Sequence, residues 1–305
     1  MDAFFPEIQK LYLRKSRNCS RFSVVTTSIQ PNPSSNVHER FGRGVIEVEH
    51  VNSVVERRNR EGNNEFIQKL LDTGLLQEKE RWICEMVQPE RLMRFYQVLN
   101  QRTRYLSVLL EAVDDGHNQA AVLRTADAFG IQDVYVVAGN KPFEPNKKVT
   151  QGADKWLTIK ERPGLQSAIT DLKSKGYQIY ATYLGEGAVP VQEIDLSKPT
   201  VLIFGNEHKG ISEEAAGLAD GKFYIPMYGF VQSFNISVAA ALVLQEVTKR
   251  ARETAKDRYY LSDQEKRELL LQWIMKTLRS RIRIQVQKKL DMPGHVLSGN
   301  DLKPA

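Results

Sequence analysis

Three short blocks hold the residues best suited to chemistry. His117-Asn-Gln-Ala-Ala-Val-Leu-Arg-Thr-Ala-Asp-Ala-Phe-Gly130 contains Asn118 and Arg124. Val201-Leu-Ile-Phe-Gly-Asn-Glu207 runs from an apolar stretch into a polar turn. Ile225-Pro-Met-Tyr-Gly-Phe-Val-Gln-Ser-Phe-Asn235-Ile-Ser-Val-Ala-Ala adds Ser233 and Asn235. Amides, a hydroxyl, a carboxylate and a guanidinium at strand ends and helix starts suit a ribose, a phosphate and a nucleoside cofactor. Neither a GxGxxG loop nor a GxxxxGK[ST] loop is present, so neither usual phosphate cradle applies.

The elements around the blocks follow from periodicity. Leu106-Ser-Val-Leu-Leu, Val134-Tyr-Val-Val, Tyr177 to Tyr183, Thr200 to Gly205 and Lys222 to Pro226 read as strands. Helices are expected from Asn118 as cap to Phe129, over 164–175, over 212–219 and over 237–252. Strands alternating with helices imply an α/β fold, a mostly parallel sheet covered by helices on both faces. Its sites belong outside the carboxyl ends of the strands. Glu207 and the stretch from Pro226 to Asn235 follow strands directly.

Flanking segments are helical. From Pro89, Leu92, Phe95, Tyr96, Val98 and Leu99 can share one face. Ser262 and Glu265 have the spacing of a capping box and open a helix through Trp273. Lys276 to Lys289 holds six basic residues and no acidic one. With a net charge of +6, that run and Arg91, Arg94, Arg102, Arg104, Lys276 and Arg279 are the expected contacts to a polyanion such as RNA. A solvated helix end is the other reading of such a run.

Bulk properties narrow the rest. No apolar run approaches the roughly 20 residues of a membrane span. Cys19 and Cys84 alone make neither a disulfide framework nor a zinc site, and no metal is expected. Between Glu7 and Glu39 there is no acid, but five basic residues and many serines and threonines. That composition suits an organelle transit peptide, for chloroplast or mitochondrion. A basic arm on a cytoplasmic protein is the alternative. The expected organisation is 1–38 as that segment and 39–87 as a linker or N-terminal extension. An N-terminal helix at 88–107, the main domain at 108–253, a basic helical extension at 254–292 and a tail at 293–305 follow.

The three blocks, in this order, resemble the motifs of the SpoU/TrmH-type tRNA 2′-O-ribose methyltransferases of the SPOUT superfamily. Pro89-Glu-Arg-Leu with Asn100-Gln-Arg, and Gly152-Ala-Asp-Lys-Trp, resemble the TrmH branch in particular. The resemblance implies a trefoil-knotted SPOUT domain, a homodimer and S-adenosylmethionine (AdoMet) as methyl donor. It implies a tRNA substrate, usually guanosine 18 of the D-loop. An rRNA ribose methyltransferase, or a catalytically silent RNA-binding protein on the same scaffold, are the alternatives. It places Asn118, Arg124, Glu207, Ser233 and Asn235 in the catalytic centre. It places Thr182, Leu184, Gly205, Ile225, Met227 and Phe234 around the cofactor. Two departures stand out: His208 in the second motif, and Phe234 where leucine is usual.

Overall fold

A computed structural model describes residues 62–290, so the expectations for residues 1–38 and 293–305 lie outside the described part. A first helix (α1, 62–72) leads into a 3-10 turn, Glu78–Glu80, and two helices, α2 (Arg81–Cys84) and α3 (Pro89–Leu99). The alternating part then runs β1 (Leu106–Glu111), α4 (Gly116–Ala128), β2 (Asp133–Val137), α5 (Lys147–Thr150), β3 (Thr158–Arg162), α6 (Leu165–Ser174) and β4 (Gln178–Thr182). It continues with β5 (Ala188–Pro190), β6 (Thr200–Phe204), α7 (Glu213–Leu218), β7 (Gly221–Tyr224) and α8 (Ile236–Ala255). Two helices close the described chain, α9 (Asp263–Thr277) and α10 (Ser280–Leu290).

The seven strands form one parallel sheet in the order β3-β2-β1-β6-β4-β7-β5. Its centre is buried on both faces, as parallel sheets require. Side-chain alternation divides two cores. Leu106, Val108, Leu110, Leu202 and Phe204 pack under α4 and α8. Leu109, Val201 and Ile203 pack under α6 and α7. This is the expected α/β architecture. Strands β3 and β5 are additional. Thr158-Ile-Lys-Glu-Arg162 buries only Ile159, and Ala188–Pro190 is three residues at the other edge, so neither carries a strong apolar signal.

A third core lies apart from the sheet. Ile67, Leu70, Leu92, Phe95 and Leu99 from the N-terminal helices pack with Leu270, Trp273, Ile274 and Val286 from α9 and α10. Phe95, Trp156 and Trp273 pack in tilted and edge-to-face pairs with ring centroids 5.2 to 5.9 Å apart. The described part of the expected linker, 62–87, is thus helical and joins this helical cap. Ser262 and Glu265 form the expected capping box, each side chain bonding the other's backbone N–H.

Candidate active site

The site sits where β1, β6, β4 and β7 end, with the first turns of α4 and α8 above it. Asp115, in extended conformation, caps α4; its side chain accepts from the His117 N–H at 2.9 Å. This corrects the expectation that Asn118 is the cap. The helix starts one turn earlier, which releases the Asn118 amide for other bonds. Asn118 Nδ2 donates to Glu207 Oε1 at 2.9 Å. Asn118 Oδ1 accepts from Asn235 Nδ2 at 3.1 Å. Asn235 also caps α8, its Oδ1 accepting from the Ser237 N–H at 2.9 Å. One relay therefore joins the three sequence blocks, Glu207–Asn118–Asn235, with both ends of the central amide fixed.

Glu207 rides on a loop that is locked in place. Asn206 and Gly210 exchange backbone hydrogen bonds at 2.8 and 2.9 Å, closing a tight turn. Gly205 must be glycine there, since a Cβ would lie 2.2 Å from the Gly210 carbonyl oxygen. Gly210 holds φ at +69°, a conformation glycine adopts without strain. The loop is anchored at both ends to the end of β1. Asn206 Nδ2 donates to the Ala112 carbonyl at 2.8 Å. At the far end the Ser212 N–H and hydroxyl both donate to the buried Glu111 carboxylate, at 3.1 and 2.5 Å. Ser212 in turn caps α7. Sequence reading missed Glu111, whose partner lies 101 residues away.

Beside the relay lies a cleft of about 460 Å³, within the usual size of small-molecule sites. Thr182, Leu184, Gly205, Ile225, Met227 and Phe234 all line it, as do Glu207 and Ser233. Tyr183, Tyr224 and Glu213 also line it and were not anticipated. Apolar walls beside carboxylates suit a flat heterocycle carried on a cationic body.

Arg124 stands apart from this network. It is exposed on α4 and makes no side-chain hydrogen bond or ion pair with any described residue. Glu207 does not pair with Arg124; it bonds Asn118 instead.

Three of the six expected RNA contacts bond other groups of the protein. Arg102 is 1% exposed, ion-paired with Asp127, bonded to the Ile131 carbonyl at 3.1 Å and stacked over Trp273. Arg104 pairs with Asp133 at 3.2 Å and Glu265 at 2.9 Å. Burial disfavours its charge, but the two carboxylates outweigh that and raise its pKa. Lys276 donates to the Lys155 carbonyl at 2.7 Å. Arg102 and Arg104 thus tie the helical cap to the sheet domain, whereas the Lys276 bond is exposed. Arg91, Arg94 and Arg279 are exposed.

A parallel sheet with its polar relay and cleft at the carboxyl ends of the strands defines an α/β protein with its ligand site where such sheets place one. Comparison with known proteins makes this specific. Residues 105–245 match the SpoU rRNA methylase family. The tRNA (guanosine(18)-2′-O)-methyltransferase of Aquifex aeolicus is 38% identical over 190 residues, 62% of this chain and 90% of the relative. The protein of the same description from Thermus thermophilus is 40% identical over 187 residues, 61% of this chain and 96% of the relative. The crystal structure of the A. aeolicus TrmH/SpoU tRNA modifying enzyme superposes with a TM-score of 0.58 at 37% identity, covering 62% of this chain and 98% of that one. The chain belongs to the SpoU methylase family, and it is an AdoMet-dependent methyltransferase with the SPOUT fold.

Proposed function

We propose that this chain methylates the 2′-hydroxyl of a ribose in tRNA, that of guanosine 18 in the D-loop. The observation that carries the reading is the Glu207–Asn118–Asn235 relay, which brings the three blocks to the edge of one cleft. The relatives' substrate and the helical segment around Pro89–Leu99 favour tRNA over rRNA. The intact relay disfavours a silent RNA-binding protein.

AdoMet supplies a methyl group on a sulfonium, so the bonding electron pair stays on sulfur as the methyl carbon joins the ribose oxygen. The chain must align the two and accept the hydroxyl proton. Leu184, Ile225, Met227 and Phe234 would provide apolar walls for the adenine, and Glu207 and Glu213, which line the same cleft, would offset the charge of the sulfonium. A ribose hydroxyl is a weak nucleophile at neutral pH, so its deprotonation has to be assisted. Arg124 carries a permanent charge and has no lone pair to accept a proton. It stabilises the developing alkoxide or clamps the neighbouring phosphate. Glu207 is the carboxylate that the relay offers as proton acceptor, and Ser233 lines the same cleft.

We extend the reading to a homodimer. Tyr228, Phe230, Val231 and Phe234 stand exposed before α8, and Val238 and Leu242 form an exposed apolar stripe on it. A second copy would cover both. Sedimentation showing an active monomer at micromolar concentration removes that part. The acid-free composition of residues 1–38 supports import into a chloroplast or mitochondrion. A fluorescent fusion of that segment that stays cytoplasmic removes that part.

The central test is methylation of a tRNA transcript by the purified chain with AdoMet. Guanosine 18 should acquire a 2′-O-methyl group. A transcript with 2′-deoxyguanosine at that position should acquire none; equal labelling of both overturns the ribose reading.

A further inference from the structure

With Arg102 and Arg104 ion-paired within the protein, phosphate contacts near the site have to come from elsewhere. The segment carrying α5 is strapped to the first turn of α4, the turn that bears Asn118. The Asn146 N–H donates to the Gly116 carbonyl at 2.9 Å. The approach is so close that a Cβ on Gly116 would lie 2.7 Å from the Glu144 carbonyl oxygen. The Asn146 side chain completes the strap. Its Oδ1 accepts from the Lys148 N–H at 2.9 Å, and its Nδ2 lies 3.3 Å from His117 Nε2. Lys147 and Lys148 are thereby fixed beside the catalytic turn. Both are exposed, and neither ammonium pairs with a described residue. His117 and Arg124 are seven residues apart on α4, both on its exposed stripe, about 10.5 Å along the axis. Guanidinium, imidazole and two ammonium groups therefore follow one another along one edge of the site.

Away from this edge the chain pairs many of its basic groups. Lys160 meets Asp133, Arg162 and Lys175 meet Asp171, and Lys173 meets Asp220. Unpaired cations tethered next to a catalytic turn repel one another, and a polyanion relieves that repulsion. We propose that Lys147 and Lys148, beside His117, form a ledge that contacts tRNA phosphates and seats the strand next to the target ribose. This rests on the RNA methyltransferase reading above. Such contacts position the backbone and read no sequence.

The test is the double substitution Lys147→Ala, Lys148→Ala in the full chain. KM for tRNA should rise about tenfold, and the slope of log KM against log salt should shrink by about 1.5, near 0.7–0.9 per phosphate lost. The AdoMet dissociation constant and kcat at saturating tRNA should stay within twofold. Lys147→Arg, Lys148→Arg should restore KM, because the ledge needs charge rather than a particular side chain. If the wild type methylates tRNA but the alanine pair leaves KM and salt slope unchanged, the ledge is overturned and the function stands. If the wild type does not methylate tRNA, both fall.

Discussion

The two ends of the sheet handle charge in opposite ways. At the amino end, ionic groups are sunk into the protein and matched. Asp133, 2% exposed at the start of β2, takes Arg104 on one oxygen and Lys160, at 2.6 Å, on the other. Arg102 and Asp127 pair close by. At the carboxyl end, Arg124, Lys147 and Lys148 stand exposed and unpaired by any described residue, and the carboxylate of Glu207 meets a neutral amide. One end uses charge to hold the helical cap on the sheet. The other keeps its charge available for a ligand. Substitutions at the two ends should therefore fail differently, in stability at one and in turnover at the other.

The largest effect is expected at Arg124. Removing a preorganised cation from a site of developing negative charge costs roughly 10²–10³ in kcat. Arg124→Ala should show that loss in a methyl-transfer assay, with AdoMet affinity by calorimetry nearly unchanged because Arg124 does not line the cleft. Activity within twofold of wild type would mean that this arginine is a surface residue like any other.

Asp133 supplies the opposite result. Asp133→Ala takes the buried partner from Arg104 and Lys160, both part-exposed, and Arg104 keeps Glu265; losing such charge-assisted hydrogen bonds typically costs about 1.5–3 kcal/mol. Urea unfolding should record that loss, while turnover per folded molecule and AdoMet affinity hold. A variant that kept its stability but lost turnover would break the contrast between the two ends.

How far the sequence disclosed this contrast depends on how local each cause is. The apolar runs of β1, β2 and β6 were readable because burial on both faces leaves a continuous hydrophobic signal. The Ser262–Glu265 box was readable because both partners lie within one turn. Cleft residues such as Ile225, Met227 and Phe234 came from motif resemblance, and the structure gathers them around one cavity. Arg102 and Arg104 misled for a physical reason. A basic pair beside a helix looks alike whether it meets water or a carboxylate, and Asp127, Asp133 and Glu265 lie 25, 29 and 161 residues away. Asn118 misled because two capping residues stand three apart, and only geometry shows that Asp115 takes the cap. β3 and β5 escaped because edge strands bury little.

A finer probe lies between the extremes, at Glu111. Its carboxylate accepts two donors from Ser212 and so sets the far end of the loop that carries Glu207. Glu111→Gln keeps the shape but turns one acceptor into a donor facing a donor. Charge-assisted hydrogen bonds of this kind contribute about 1.5–3 kcal/mol. Part of that should appear as a roughly tenfold higher KM for AdoMet, with a smaller change in kcat. Ser212→Ala, which removes the hydroxyl donor and keeps the backbone one, should weaken AdoMet binding in the same direction, and the double variant should lose less than the sum of the two, because they share the hydroxyl–carboxylate bond. Additive losses would mean that Glu111 acts on something other than this loop.

The smallest effect is a pH dependence at the matched end. Burial works against the Glu265 carboxylate, but hydrogen bonds from Arg104 and from the Ser262 backbone and hydroxyl outweigh it and hold its pKa below the ordinary value of 4.5. The unfolded chain therefore binds this proton more readily than the folded one, and stability rises with pH across the interval between the two pKa values. The contribution is fully present above the ordinary value and is lost as pH falls through the folded one. The wild type should accordingly be more stable than Glu265→Gln at neutral pH, and the gap should close below pH 4.5 in parallel denaturant titrations. Because this side chain is about one-third exposed, solvent screens the pair and the gap should be modest. A gap that stays constant into acid would mean that the carboxylate's charge is not what holds α9 to Arg104, leaving the shared hydrogen-bond geometry, which glutamine can partly copy, as the link between cap and sheet.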